Sequence, residues 1–289
     1  MHIVDNAVIM AAGTASRFAP LSYERHKALI EVRGEILIER QIRQLREAGV
    51  PEIYIVTGYR AEQFSYLEDK FGVHLVHNPD YLTRNNNSSI YAVRNILKNS
   101  YVCSADNYFT VNPFEKAVSD CYYAALYADG ATKEWCMEGD ESGYIQHVTI
   151  GGENAWYMLG HTFWDESFSR QFINILEKEY DAPETAGLLW ESIFMKHLDQ
   201  LKMKIRKYDN DEIFEFDTLD ELRQFDATYL EDTRSVILKE AAQSLGCSES
   251  DITAVTAYKD ETNEAAGFTF LCRGAAYTCG YTDRVIRRL

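Results

Sequence analysis

The feature that most constrains this chain is the alternation, over its first hundred residues, of short apolar runs with stretches of helical periodicity. Ala7 to Met10 form an apolar run closing on the small residues Ala11-Ala12-Gly13, the pattern of a buried parallel strand opening into a loop. In residues 36–48, apolar Ile38, Ile42 and Leu45 fall at helical spacing and Gly49 supplies a stop. Residues 52–58 read as a second strand entering a second glycine turn, 61–71 as a helix and 73–76 as a strand. After a polar loop at 85–89, residues 90–97 read as a helix and 100–106 as a strand with its turn. This order predicts right-handed βαβ units and a Rossmann-like, mostly parallel mixed sheet flanked by helices. Ligands of such sheets bind beyond the carboxyl ends of the strands, where these loops converge. Residues 122–163 change character, with glycines at 130, 139, 143, 151 and 152 and many aromatics, and predict partly antiparallel strands forming a lid or acceptor pocket. Helical periodicity returns at 167–180 and 185–198, followed by a strand at 213–217 and a helix from Leu219.

Composition narrows the function. The 289 residues are 46% hydrophobic and 26% charged, with a formal net charge of −16. A nucleic-acid backbone would meet net repulsion, and no basic patch offsets it. No run of about 18 apolar residues predicts a membrane-spanning helix. Met1 to Asn6 carry no basic region ahead of an apolar core, so no secretory signal is expected. The six cysteines lack metal or disulfide spacing, which fits a reduced, cytoplasmic protein.

The chemistry concentrates in a few places. Small residues after a buried strand let backbone N–H groups approach a phosphate chain, and Arg17 and Lys27 supply opposing charge. A tight turn with two surface cations is the bland alternative. Asp106 and Asp217 each close a predicted strand; such aspartates are either helix caps or ligands for a hard cation. Trp135, Trp156, Tyr157, Trp164 and Trp190 lie among Glu134, Asp165 and Glu191, which suits either an aromatic core or a cage for a quaternary ammonium.

The opening motif, Ala11-Ala12-Gly13 with Ser16-Arg17, Pro20 and Lys27-Ala28-Leu29, resembles the signature of the sugar-phosphate nucleotidyltransferase superfamily. Within it, residues 7–226 resemble the bacterial CTP:phosphocholine cytidylyltransferases, through Gln63 to Leu67, Tyr81 to Tyr91, Ser104 to Tyr108, Glu134-Trp135, Phe163 to Asp165, Trp190 and Glu215-Phe216-Asp217. The resemblance implies a nucleotide-diphospho-sugar transferase type of fold and transfer of CMP from CTP to phosphocholine with release of pyrophosphate. It implies Mg²⁺ on Asp106 and Asp217, with Glu215 a neighbour, and phosphate binding by Arg17 and Lys27. It assigns nucleotide contacts to Ala11, Ala12, Gly13, Gly58, Tyr59, Asn85, Ser89 and Ala105, and acceptor contacts to Glu134, Trp135, Trp190 and Glu191. Four positions depart from the pattern: Ala15 stands for the loop's second glycine, His26 for a proline, Asn87 for an aromatic and Glu191 for an aspartate. Ala15 fits if its φ is negative. Trp156 and Tyr157 have no counterpart in the pattern and receive no role from it.

These readings divide the chain into a catalytic domain, 1–229, and a small α+β C-terminal module, 230–289, which resembles the opening of a choline-kinase-like N-lobe. The module reads as a helix from Ser235, a capped turn after Gly246 and strands around Phe268 and Tyr277 with a hairpin at Gly274. It is either a docking or dimerisation piece, which leaves room for a homodimer, or a structural appendage. Three rival functions remain open: a cytidylyltransferase for phosphoethanolamine or 2-aminoethylphosphonate, a sugar-1-phosphate enzyme, which the aromatic and acidic acceptor region suits less, and a catalytically silent nucleotide-binding protein.

Overall fold

The computed structural model describes residues 1–261 and 265–289, and the chain divides into two compact units. The first joins Met1–Gly13 to Leu37–Glu215, and the second joins Thr14–Ile36 to Phe216–Leu289. The boundary expected at 229/230 therefore falls inside the second unit. The physical reason is Arg223, only 5% exposed, whose guanidinium donates to Ile252 O at 2.6 Å and Glu249 O at 2.7 Å and so ties the segment before that boundary to the segment after it.

The first unit is built on a mixed sheet. Its elements are β1 (Asn6–Ala11), α1 (Leu37–Glu47), β2 (Glu52–Thr57), α2 (Tyr66–Phe71), β3 (His74–His77), α3 (Asn87–Ala92), β4 (Ser100–Ser104) and β5 (Asn107–Phe109). They continue with β6 (Tyr122–Tyr127), β7 (Ala131–Gly139), β8 (Ile145–Glu153), β9 (Trp156–Trp164), α4 (Glu166–Glu179), α5 (Trp190–Lys196), β10 (Lys204–Lys207) and β11 (Ile213–Glu215). The sheet runs β8-β7-β9-β4-β1-β2-β3, with β6 pairing both β9 and β10. β1 lies parallel to β2 and to β4, in the registers Ala11↔Thr57 and Met10↔Ser104. β9 joins β4 antiparallel, and the hairpin β7–β8 extends the edge that the glycine-rich middle region predicted. α1 shows how the fold follows the sequence. Its Ile38, Ile42 and Leu45 are wholly buried, each contributing about 1.5–3 kcal/mol. A core of Val8, Val56, Val102, Trp164, Phe172 and Phe194 fills the space around the sheet.

The helix expected at 90–97 is displaced: α3 begins at Asn87 and ends at Ala92. The Asn/Ser run read as a loop is helical because tertiary hydrogen bonds satisfy it. Asn78 Nδ2 donates to Ser88 Oγ at 2.8 Å and to Ser89 Oγ at 3.2 Å, and Asn87 Nδ2 donates to Thr185 O at 3.0 Å.

In the second unit, single helical turns at Ser16–Phe18, Leu21–Glu24 and Lys27–Leu29 are followed, far along the chain, by α6 (Leu219–Phe225) and α7 (Val236–Leu245). Thr218 caps α6 with a reciprocal Thr218–Glu221 capping box, and Ser235 caps α7, which stops at left-handed Gly246. Among its described residues the module holds four strands where two were expected. They are β12 (Ile252–Lys259), β13 (Ala265–Cys272), β14 (Ala275–Gly280) and β15 (Ile286–Arg288), in one antiparallel sheet of that order. β12 is not evident from the sequence because a bulge with Ala254 at φ 50 breaks its alternation.

Candidate functional site

At the switch point of the first unit's sheet, where β2 and β4 lie on either side of β1, three loops converge. Ala11 and Ala12 end β1 at 2% and 5% exposure, and Gly13 follows in the open. Tyr59 N donates to Ala12 O at 3.0 Å, and Ala105 N donates to Met10 O at 3.3 Å. A Cβ on Gly58 would stand 2.6 Å from Tyr81 Cγ and 2.8 Å from Ala12 O, so glycine is required for the β1 and β2 loops to meet.

Asp106 sits in the turn between β4 and β5, half-buried. β5 pairs with β11 in the register Asn107↔Glu215, and this brings the Glu215 carboxylate to the same end of the sheet. Asp106 and Glu215 each offer a carboxylate oxygen within 4.8 Å of the other's. Two hard, half-buried oxygens at that separation fit a small divalent cation that keeps water and takes phosphate oxygens in its other positions.

The residues expected to hold the acceptor also lie in the first unit. Glu134 is exposed on β7, and its neighbour Trp135 is half-buried and packs on the core. Glu191, second residue of α5, accepts from Asn86 Nδ2 at 3.1 Å and from Tyr123 OH at 3.3 Å. Burial pushes its pKa up to about 7, against the lowering effect of those hydrogen bonds. Trp190 differs from expectation. It is 1% exposed, lies 5.8 Å from the Tyr123 ring in a stacked arrangement, and meets Trp164 edge-on at 5.0 Å. In this state Trp190 has no open ring face, and it serves as part of an aromatic core.

Tyr157, which the family pattern leaves without a role, belongs to the same region. Burial raises its phenol pKa, and the carboxylates of Glu134 and then Glu215 raise it further. Tyr123 feels Glu191 and Glu215 in the same way, after the larger effect of burial. Tyr123, Tyr157, Glu134, Glu191 and Glu215 thus share one acidic, aromatic neighbourhood. The signal available in sequence is the alternation along β6 and β9, which needs their register to be useful. Asn85 and Ser89, expected at the nucleotide, each also make a tertiary hydrogen bond. Asn85 Nδ2 donates to Gly187 O at 3.2 Å, and Ser89 accepts from Asn78.

The second unit carries the cations. Arg17 lies in the turn Ser16–Phe18 with its side chain 74% exposed, and its Nη1 is 2.7 Å from Asp217 Oδ2. Lys27 is 6% exposed, with Nζ 3.3 Å from Asp217 Oδ1. His26 precedes it at φ −56, a value that proline also adopts, and its Nδ1 accepts from Ala28 N at 3.1 Å. That imidazole cap accounts for histidine in place of proline. Ala15, however, sits at φ 47 and not at the negative φ expected. The loop keeps the left-handed turn a glycine would give it, at a cost of about 1 kcal/mol.

Within the first unit, a sheet switch point with a glycine-bearing loop and half-buried carboxylates beside it is the arrangement of a nucleotide-binding α/β domain. Residues 7–122 match the MobA-like NTP transferase domain family. The choline-phosphate cytidylyltransferase of Streptococcus pneumoniae is 32% identical over 220 residues, spanning 76% of this chain and 96% of that protein. The 2-aminoethylphosphonate cytidylyltransferase of Lancefieldella rimae is 34% identical over 230 residues, spanning 78% and 93%. A solved structure of CTP:phosphocholine cytidylyltransferase from Streptococcus pneumoniae superposes with a TM-score of 0.75 at 32% identity, covering 78% of this chain and 99% of that one. The chain belongs to the choline-phosphate cytidylyltransferase family.

Proposed function

We propose that this protein transfers CMP from CTP to phosphocholine, releasing pyrophosphate. The observation that carries this is the 32% identity spanning 96% of a choline-phosphate cytidylyltransferase. The acidic, aromatic neighbourhood of Tyr123, Tyr157, Glu134 and Glu191 supports it chemically. A quaternary ammonium has no N–H to donate, so aromatic faces and diffuse negative charge are what can hold it.

A phosphocholine oxygen attacks the α-phosphorus, the bond from that phosphorus to the bridging oxygen of the β-phosphate breaks, and its electron pair leaves with pyrophosphate. The attacking oxygen is already anionic at neutral pH, so the chain need supply no general base. Its work is alignment and charge stabilisation. Arg17 takes the β- and γ-phosphates and Lys27 the phosphates beside the reacting centre. The backbone at Ala11, Ala12, Gly13 and Ala105, the Gly58-Tyr59 turn, and Asn85 with Ser89 take base and ribose. Glu134, Trp135 and Glu191 hold the cationic head, with Trp190 behind them. Asp106 and Asp217 are the proposed ligands of Mg²⁺, with Glu215 beside Asp106; when bound, the ion would draw charge from the phosphate oxygens.

The second reading, a primary-amine acceptor such as 2-aminoethylphosphonate, is favoured by the 34% identity to the Lancefieldella rimae enzyme and by the same carboxylates, which would pair directly with an ammonium. Pyrophosphate release with CTP and Mg²⁺ against phosphocholine, phosphoethanolamine, 2-aminoethylphosphonate and glucose-1-phosphate separates the readings. Preference for phosphocholine is the expected result. Preference for a primary amine keeps the nucleotide half and replaces the acceptor. Release with none moves the protein to silent nucleotide binding. We also propose that it works in the cytoplasm.

A further inference from the structure

The segment bearing Arg17 and Lys27 has little structure of its own. It consists of turns of three and four residues, too short to be stable without docking. Within the second unit, Arg33 N of this segment donates to Asp226 Oδ2 at 2.7 Å, and the turn between the two cations docks on the C-terminal module. Glu24 Oε1 accepts from Val236 N at 2.8 Å and Ile237 N at 3.3 Å, the opening residues of α7. The ring of Tyr23 lies flat on that of Tyr281, centroids 3.8 Å apart and planes 5° from parallel. Tyr281 is 5% exposed and backed by Phe268 at 5.8 Å. Strand β12 packs against the turn Ser16–Phe18, leaving a cavity of about 170 Å³ lined by Ser16, Arg17, Thr218, Val255, Thr256 and Ala257.

We propose that residues 230–289 are a clamp on the cationic segment, with Tyr281 a positioning residue that acts through Tyr23 to hold Arg17 and Lys27 in phosphate-binding geometry. The module is thereby part of the nucleotide machinery. Tyr23 and Glu24 lie midway between the two cations in sequence, so fixing that turn fixes the path of the chain on both sides of it. The inference rests on the reading of Arg17 and Lys27 as the triphosphate's cations.

The test uses the full chain carrying Tyr281→Ala or Tyr281→Phe, with dissociation constants for CTP, CMP and inorganic tripolyphosphate measured by calorimetry and Tm by thermal melting. Tyr281→Ala is expected to weaken CTP and tripolyphosphate about tenfold while CMP, which lacks the β- and γ-phosphates, stays within about twofold. Tyr281→Phe keeps the ring and is expected to match the wild type. Wild-type affinity in Tyr281→Ala overturns the clamp, as does equal loss of CTP and CMP, which would mark a merely structural role. If Tyr281→Ala does not fold, Glu24→Ala replaces it: selective loss of CTP and tripolyphosphate supports the clamp, and unchanged affinity or equal loss of CMP overturns it. Tripolyphosphate keeps the underlying reading separate. Binding by the wild type that Tyr281→Ala weakens supports the clamp even where no acceptor is turned over. No binding of tripolyphosphate or CTP by the wild type overturns the phosphate reading and the clamp with it.

Discussion

Glu191 is a half-buried carboxylate with neutral donors, Asn86 and Tyr123, as its hydrogen-bond partners. Burial raises its pKa from an ordinary 4.5 to about 7 in the folded protein. A raised carboxyl contributes stability that is complete below the unfolded value and is lost as pH rises through the folded value, because ionising it in place costs more than ionising it in water. Glu191→Gln should therefore raise Tm near pH 8 by an amount equivalent to roughly 1–3 kcal/mol and leave it unchanged near pH 4, as melting curves would show. A bound ammonium would favour the ionised form, so KM for phosphocholine should fall as pH rises from about 6 to about 8 and be flat in Glu191→Gln. A parallel profile in both proteins would remove Glu191 from the acceptor site. Asp106 invites a simpler test. Asp106→Asn should keep the circular dichroism spectrum and Tm while lowering turnover by about 10²–10³. Near-normal turnover in saturating Mg²⁺ would sink its assignment. Residue identities of this kind are legible because Asp106, Arg17 and Lys27 sit in motifs. The pairing of both cations with Asp217 is not, since it spans 190 residues from Lys27.

At the scale of elements, the strands and helices that alternate in hydrophobicity are readable, and the exceptions have particular causes. α3 is built from Asn87, Ser88 and Ser89, poor helix formers that distant hydrogen bonds satisfy. Trp190 sits where α5 begins, and its burial against Tyr123 and Trp164 depends on how β6 and β9 are paired. Two loop positions yield predictions. Gly58→Ala should destabilise by about 1–3 kcal/mol in denaturant titrations, because Tyr81 and the Ala12 carbonyl occupy the space of a Cβ. Ala15→Gly should stabilise by about 0.5–1 kcal/mol, since it relieves a left-handed alanine and gives part of the gain back through a more flexible unfolded chain. An unchanged denaturation midpoint in Ala15→Gly would mean that the loop carries no such strain.

For the whole molecule, the order of elements along the chain predicts the sheet of the first unit but not the division into units. Thr14–Ile36 leaves the first unit after β1 and belongs with Phe216–Leu289. No composition shift marks Gly13 or Leu37 as a boundary, and the residues that make the second unit cohere, Tyr23 with Tyr281 and Arg33 N with Asp226 Oδ2 at 2.7 Å, are ordinary surface types when read singly. The module's strands β12 and β15 are hidden in the sequence for local reasons. The bulge at Ala254 breaks the alternation of β12, and β15 has three residues, too few to show a period.

That discontinuity shapes the protein's synthesis. Glu24 leaves the ribosome more than two hundred residues before Val236, the residue whose N–H it will accept. At about 5–20 residues per second, the nascent Thr14–Ile36 stretch waits on the order of ten to forty seconds for its partners. During that interval Phe18, Leu21 and Leu29, all buried in the finished protein, are without the α7 and β12–β15 surfaces of their own unit. The most aggregation-exposed stage of this protein's life therefore falls during translation, and slower elongation toward the carboxyl end would lengthen it.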